Sequence, residues 1–241
     1  MKVLFIGNSH TYFNDMPHLF AEMCEALTGE QTDVTMLAFS NRTLAWHCEE
    51  YFSVRFALLY GKYDCCVIQQ FGNPVPPVEE TEPALQTIVR LCERVGTKPV
   101  LYMTWAKKAE PEKAEKISAT YRTLAKRYHM RLAPMAELFD AVRKEHPEID
   151  LYWDDGYHAS PYGDYLIAAT LAAVTVCPEN LEKIPDRVID FQVRYEKGKT
   201  PGVEENVSQA ETTANRGYTE ILRRYAEKAL RGGSEWNGVS N

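Results

Sequence analysis

No apolar run in the chain is long enough to cross a bilayer. The longest, residues 165–177, falls short of the roughly 20 residues a spanning helix needs and reads as a buried helix. The run at residues 3–6 is too short for the apolar centre of a secretory leader and stops at Gly7-Asn8. No membrane partner is therefore expected. Paired cysteine spacing is also missing. The six cysteines, at positions 24, 48, 65, 66, 92 and 177, form no CxxC pair, which argues against a zinc site. In a chain without a leader they read as free, mostly buried thiols, so a cytoplasmic location and no metal are expected. Basic residues are outnumbered: 27 Lys and Arg face 34 Asp and Glu, a net charge of −7. Phosphate binding needs a basic footprint, so nucleic acid is not expected as a partner. Internal repeats are absent as well.

What the chain does have is core. Apolar residues make up 45% of its 241 positions and charged residues 25%, enough apolar mass for one large α/β domain. Short apolar runs at residues 2–6, 33–39, 64–69, 99–104 and 131–133 read as strands. Between them lie stretches of helical period. Asn14 or Asp15 is expected to cap the first helix, with Pro17 in its first turn, an apolar face of Met16, Leu19, Phe20, Met23 and Leu27, and Gly29 as its stop. Further helices are expected over about 43–59, 80–95, 111–128, 135–145 and 161–176. This alternation predicts a flavodoxin-like three-layer α/β sandwich, a five-stranded parallel sheet with helices on both faces. Residues 1–180 would form this domain. Residues 181–241 would form a C-terminal extension, with an extended segment over 184–208 and a helix over 212–230. It would pack on the domain or on a partner subunit of a homo-oligomer.

In such a sheet, ligands bind beyond the carboxyl ends of the strands, near the point where strand order reverses. Strand one ends in Gly7-Asn8-Ser9-His10-Thr11, which places a hydroxyl in that crevice. The helix after it aims backbone N–H groups at the same point. A polar loop before the last core helix carries Asp155-Gly156-Tyr157-His158. A serine nucleophile needs a base to take its proton and a carboxylate to orient that base, and an Asp and a His three apart on a loop can supply both.

These segments resemble the conserved blocks of the SGNH (GDSL-like) hydrolases. Ile6-Gly7-Asn8-Ser9 resembles their first block, with Asn8 where many members carry Asp, and Asp155-Gly156-Tyr157-His158 resembles their D-x-x-H block. Phe39-Ser-Asn-Arg-Thr-Leu-Ala-Trp-His47 resembles the second block, and Asp64-Cys-Cys-Val-Ile-Gln-Gln-Phe-Gly-Asn73 the third. The opening Phe5-Ile-Gly-Asn-Ser-His-Thr-Tyr-Phe-Asn-Asp-Met-Pro17 is closer still to a bacterial branch of that superfamily. The resemblance covers about residues 2–177. It implies a serine esterase without a cofactor, acting through an acyl-enzyme on a small-molecule or carbohydrate ester, with a short acyl or acetyl group on a carbohydrate as one such substrate. Ser9 would be the nucleophile, His158 the base and then acid, and Asp155 the residue that orients His158. The oxyanion would be held by the Ser9 backbone N–H, a second-block N–H and a third-block side-chain amide.

Two departures matter. Where the second block usually supplies Gly, this chain has Ser40-Asn41-Arg42; Asn tolerates positive φ, so the Asn41 N–H can serve. Where the third block reads G-x-N-D, this chain reads Phe71-Gly72-Asn73-Pro74. Counting from Asp64 places Asn73 on the block's Asn at the end of strand three, with Gln69 as a rival donor. His10, Arg42 and Trp105 are the candidates for contacting substrate. Their plainer readings are local hydrogen bonding, a surface ion pair and buried packing, in that order. Two other functions compete. A flavodoxin-like nucleotide- or phosphate-binding module would use Asn8, Ser9 and Thr11 but leaves Asp155 and His158 without a task. An inactive SGNH domain that binds glycan would explain the altered second and third blocks.

Overall fold

A computed structural model of the protein describes residues 1–191 and 211–232. Strands β1 (Lys2–Gly7), β2 (Asp33–Ala38), β3 (Cys65–Gln69), β4 (Lys98–Tyr102) and β5 (Arg131–Ala133) form one parallel sheet in the order β2-β1-β3-β4-β5. This is the flavodoxin-like order, and its reversal point lies at β1. Successive side chains along each strand alternate between two cores, as the pleat requires. Val3, Phe5, Val67 and Val100 face one layer of helices, α2 (Met16–Thr28), α7 (Met135–Glu145) and α8 (Pro161–Val176). Leu4, Ile6, Cys66, Ile68 and Leu101 face the other, α3 (Leu44–Glu49), α4 (Tyr51–Gly61), α5 (Val78–Val95) and α6 (Ala114–Arg127).

Helix α8 is apolar on every side, and the structure supplies the reason. From Gly163 to Val174 its residues are buried, because α9 (Arg216–Gly232) lies on its outer side. Leu222, Tyr225 and Ala226 of α9 are buried in the same core as α8. A helix hydrophobic all round needs cover on both faces, and the C-terminal helix provides the second.

Three expectations about elements change. The helix foreseen over 43–59 is two helices that meet at Glu50, whose ψ of 41° is not helical. The helix foreseen over 212–230 starts later. Glu211–Thr213 is a strand, β7, paired antiparallel with β6 (Arg187–Ile189), and α9 follows it. Residues 192–208 of the foreseen extended segment lie outside the described residues. The start of the first helix differs most. A single turn, α1 (Ser9–Tyr12), leads into a 3-10 turn, Phe13–Asp15, before α2 begins. Asn14 and Asp15 sit in the left-handed region (φ 46° and 50°), so neither caps α2 through its side chain.

Asn14 is instead fully buried, and its amide binds distant segments. Nδ2 donates to the Ala159 carbonyl (3.2 Å) and to Asp164 Oδ2 (2.7 Å), and Oδ1 accepts from the Phe191 N–H (3.3 Å). Asp164 lies in the first turn of α8, and burial pushes its carboxyl well above the usual range although the Asn14 amide pulls it back. A carboxyl whose folded pKa is raised contributes stability below its unfolded pKa and loses it as pH rises through the folded value. Asp164→Asn keeps an acceptor for Asn14 and does not titrate. Its melting temperature at pH 8 should exceed that of wild type by at least about 3 °C, the equivalent of about 1 kcal/mol. The two curves should converge near pH 4. Calorimetric scans at both pH values check this, and equal melting temperatures at pH 8 would refute it.

Candidate active site

The tip of β1 is built by close packing. A Cβ on Gly7 would lie 2.4 Å from Thr11 Oγ1 and 2.5 Å from Gln69 Oε1, so only glycine fits there. Gln69 Oε1 accepts from the Asn8 N–H (2.9 Å) and from Thr11 Oγ1 (3.0 Å), which fixes the turn from the neighbouring strand. Asn8 is extended, and its Oδ1 accepts from the His10 N–H (3.1 Å), capping the turn that begins at Ser9. Its Nδ2 donates to the Arg42 carbonyl (3.0 Å). The second-block loop is tied down again by the Phe39 N–H, which donates to the Gly7 carbonyl (3.1 Å). His47 Nε2 lies 2.8 Å from the same carbonyl.

The loop before α8 is a tight hairpin. Tyr152 bridges Ala159, the Trp153 N–H donates to the His158 carbonyl (2.9 Å), and Gly156 takes a φ of 64°. This hairpin brings Asp155 and His158 over Ser9. His158 Nε2 lies 2.9 Å from Ser9 Oγ, and His158 Nδ1 lies 2.6 Å from Asp155 Oδ2. Asp155 Oδ1 accepts the backbone N–H groups of Tyr157 (2.8 Å) and His158 (2.9 Å). Partial burial pushes the Asp155 carboxyl up. The His158 ring and these N–H groups pull it further down, so its pKa ends below the usual carboxylate value. An ionised Asp155 beside Nδ1 keeps the ring proton there and leaves the Nε2 lone pair for the Ser9 hydroxyl.

Aromatic rings hold the imidazole in place. Phe13, four residues after Ser9, stacks face to face on His158 at 3.9 Å and 6°. Trp153 meets Phe13 edge-on at 5.8 Å. His10 approaches His158 at 5.2 Å and 84°, and itself stacks on Trp105 at 4.8 Å.

The structure thus brings Ser9, Asp155 and His158 together, and it places the other foreseen residues variously. Asn41 has a φ of 61° and sits exposed on the loop fastened to Gly7 and Asn8. Arg42 is exposed, with its guanidinium 4.8 Å from the Trp46 ring. Trp105 is corrected: it is fully buried between His10 and Phe139, so it cannot contact substrate. The same correction applies to His10, which is 1% exposed; burial, and then the nearby His158, hold its pKa down to about 3, so it stays neutral. Gln69 is corrected as well. Its carbonyl oxygen, not its N–H, faces the Ser9 turn, and its Nε2 donates to the Gln70 carbonyl. Asn73 lies in the loop beyond β3, which ends at Gln69, and not at the strand end. The Asn73-Pro74 bond is cis. Asn73 Nδ2 is buried and has no hydrogen-bond partner among the described residues.

Sequence reasoning missed Phe13 and the bracing role of Gln70. Gln70 Oε1 accepts the Leu44 N–H (3.0 Å) and the Phe71 N–H (2.7 Å), and so ties the second-block helix to the third-block loop. Gly72 was not singled out either. A Cβ there would lie 2.5 Å from His10 Nε2. Gly72→Ala should push His10 or the Asn73 loop aside, with an expected loss of about tenfold or more in kcat, since small misplacements at a reacting site are costly. Steady-state kinetics on purified protein test this; wild-type kcat in the variant would contradict it.

No protein-family model matches the chain, and no curated protein matches it. Solved structures do. The chain is similar to a lipase/acylhydrolase from Enterococcus faecalis at 17% identity, with 71% of this chain and 93% of that one covered and a TM-score of 0.55. It is similar to an acetyl xylan esterase at 17% identity, covering 70% and 96%, with a TM-score of 0.56. A member of the lipolytic protein G-D-S-L family from Veillonella parvula matches at 13% identity, covering 73% and 97%, with a TM-score of 0.52. At these identities the likeness is one of fold: the chain has the three-layer α/β architecture of these lipolytic proteins and esterases.

Proposed function

We propose that this chain is a carboxylic ester hydrolase of the SGNH type, working through an acyl-enzyme on Ser9. The observation that carries the reading is the unbroken hydrogen-bond chain from Ser9 Oγ through His158 to Asp155 at the tip of the first strand. In this reading Ser9 Oγ attacks the ester carbonyl carbon as His158 Nε2 takes its proton. The tetrahedral intermediate then expels the alcohol, protonated by His158. Water, deprotonated by the same nitrogen, attacks the acyl-enzyme and releases the carboxylic acid and Ser9. Asp155 keeps its charge throughout and stabilises the imidazolium. The stacked Phe13 ring presents its negative face to that cation.

The oxyanion would be held by the backbone N–H groups of Ser9 and Asn41 and by Asn73 Nδ2. An unpartnered buried amide N–H is costly unless something fills it, and the developing oxyanion is suited to do so. Asn73→Ala should lower kcat by about 10²- to 10³-fold with a smaller change in KM, as for a contact made mainly in the transition state. A loss below about threefold would remove Asn73 from the oxyanion hole.

Short acyl esters of small or carbohydrate alcohols are the expected substrates. The solved acetyl xylan esterase of similar fold supports this, as do the exposed Phe39 and Arg42 on the loop fastened to Gly7 and Asn8, which offer a ring and a charge to a hydroxyl-rich leaving group. The six free cysteines, four of them buried, suit a reducing compartment and support a cytoplasmic location. Among the described residues no helix is long and apolar enough to cross a membrane. The deciding experiment is a panel of acetyl to decanoyl p-nitrophenyl esters and acetylated sugars, run on wild type and Ser9→Ala. Turnover confined to wild type and fastest with acetyl supports the reading, and equal rates in both proteins would end it.

A further inference from the structure

Helix α4 turns Val54 and Leu58 into the core and a row of rings outward. Phe52, Phe56 and Tyr60, spaced four apart along one helical face, are 73%, 54% and 63% exposed, and Tyr51 adds a further 39%. A surface helix ordinarily carries polar residues on that side, and contiguous exposed apolar area of this kind marks an interaction site. Taking about 200 Å² for each ring, the four expose roughly 450 Å². A stable interface of standard size buries about 800 Å² from each partner, and the smallest specific ones roughly 500–600 Å². The ring stripe alone therefore supplies most of what an interface needs before any polar rim is counted.

Charge selects the partner. Exposed Glu49 and Glu50 precede α4, and exposed Lys62 follows it. Two copies of α4 crossed antiparallel about a two-fold axis would place each Glu49–Glu50 end beside Lys62 of the partner subunit. The same crossing opposes the two helix dipoles. The stripe is thus complementary to itself. The acidic flank and the net charge of −7 disfavour an anionic lipid surface. The C-terminal helix offers no comparable face, because its Leu222, Tyr225 and Ala226 are already buried within the same chain. We propose that two copies of this chain form a homodimer through their α4 helices, with Phe52, Phe56 and Tyr60 interleaved across the axis and Lys62 paired with Glu49 and Glu50.

Sedimentation equilibrium tests this on the full chain. Wild type should sediment at twice its 27.5 kDa chain mass. Phe52→Ser/Phe56→Ser should sediment as a monomer with the circular dichroism spectrum of the wild type, since both side chains are exposed on the single chain. Lys62→Glu should weaken association about tenfold, and adding Glu49→Lys and Glu50→Lys to it should restore the dimer. This charge-swap arm stands even if the double serine variant fails to fold. A wild type of 27.5 kDa at every concentration overturns the proposal. So does a dimer that survives Phe52→Ser/Phe56→Ser, which would place the contact elsewhere, or a Lys62→Glu variant with wild-type affinity. A monomer that co-sediments with phosphatidylcholine vesicles through the same rings would identify a lipid surface and equally overturn it.

Discussion

Ser9→Ala should lower kcat for p-nitrophenyl acetate by about 10⁵- to 10⁶-fold and leave the melting temperature nearly unchanged. The size follows from the coupling of the three side chains. Without Oγ, His158 has no proton to accept and Asp155 no imidazolium to stabilise, so all three groups lose their role together. What would remain is the stabilisation that the proposed oxyanion donors give to direct attack by water, typically about 10³- to 10⁴-fold over the uncatalysed rate. The fold should not suffer. Ser9 Oγ has His158 Nε2 as its bonded neighbour and is partly exposed, and the Asn8, Thr11 and Gln69 bonds that build the turn do not involve it. A p-nitrophenylphosphonate should label wild type once per chain and leave Ser9→Ala unlabelled in intact-mass spectra. Labelling of the variant, or a loss of rate below a hundredfold, would show that the nucleophile is elsewhere.

Asp155→Asn should cost about 10⁴-fold in kcat, again with the structure intact. Asp155 Oδ1 accepts two backbone N–H groups, from Tyr157 and His158, and only an oxygen can do so. The amide of an asparagine would therefore keep its oxygen on those two donors and turn its NH₂ toward His158 Nδ1. The imidazole would respond by placing its lone pair on Nδ1 and its proton on Nε2. Two hydrogens would then face each other between His158 and Ser9, and the hydroxyl proton would have no acceptor. The effect is one of tautomer, so KM should change far less than kcat. Steady-state kinetics decide the matter. A loss under tenfold would mean that His158 is oriented by something other than Asp155, with the Phe13 stack the first place to look.

The parts of the molecule that depend on local pattern were legible in the sequence. The five strands fall where the short apolar runs do, and the all-apolar stretch of α8 announced a helix covered on both sides. The Ser9 turn and the Asp155–His158 hairpin were legible because each is written in a few consecutive residues. What escaped notice depends on contacts across the chain. Asn14 looked like a helix cap, the usual role of Asn before an amphipathic run, but bonds to Ala159, Asp164 and Phe191 hold it in a left-handed turn. Trp105 follows a strand end, a position equally suited to a crevice or a core, and the stacking of His10 and Phe139 on its two sides decides for the core. Gln69 and Asn73 present the same chemistry to a reader of sequence. Only the direction of each amide separates a residue that braces the turn from one with an unused N–H.

The bracing itself has a consequence for how such a site can change over time. Three side-chain amides fasten together the segments that follow β1, β2 and β3: Asn8 to the Arg42 carbonyl, Gln69 to the Asn8 N–H, and Gln70 to the Leu44 N–H. Two of these links reach main-chain atoms of the second-block segment, whose side chains are not consumed by them. Phe39, Ser40 and Arg42 are exposed on this segment, Phe39 against Trp46 and His47 and Arg42 over the Trp46 ring, and none of the three links uses their side chains. In the proposed esterase, substitutions at these positions would alter the rim that meets an incoming alcohol without moving the serine beneath it. Under the proposed function, selectivity and reactivity would then be carried by separable sets of atoms, and one substrate could be exchanged for another by single steps that never pass through an inactive protein.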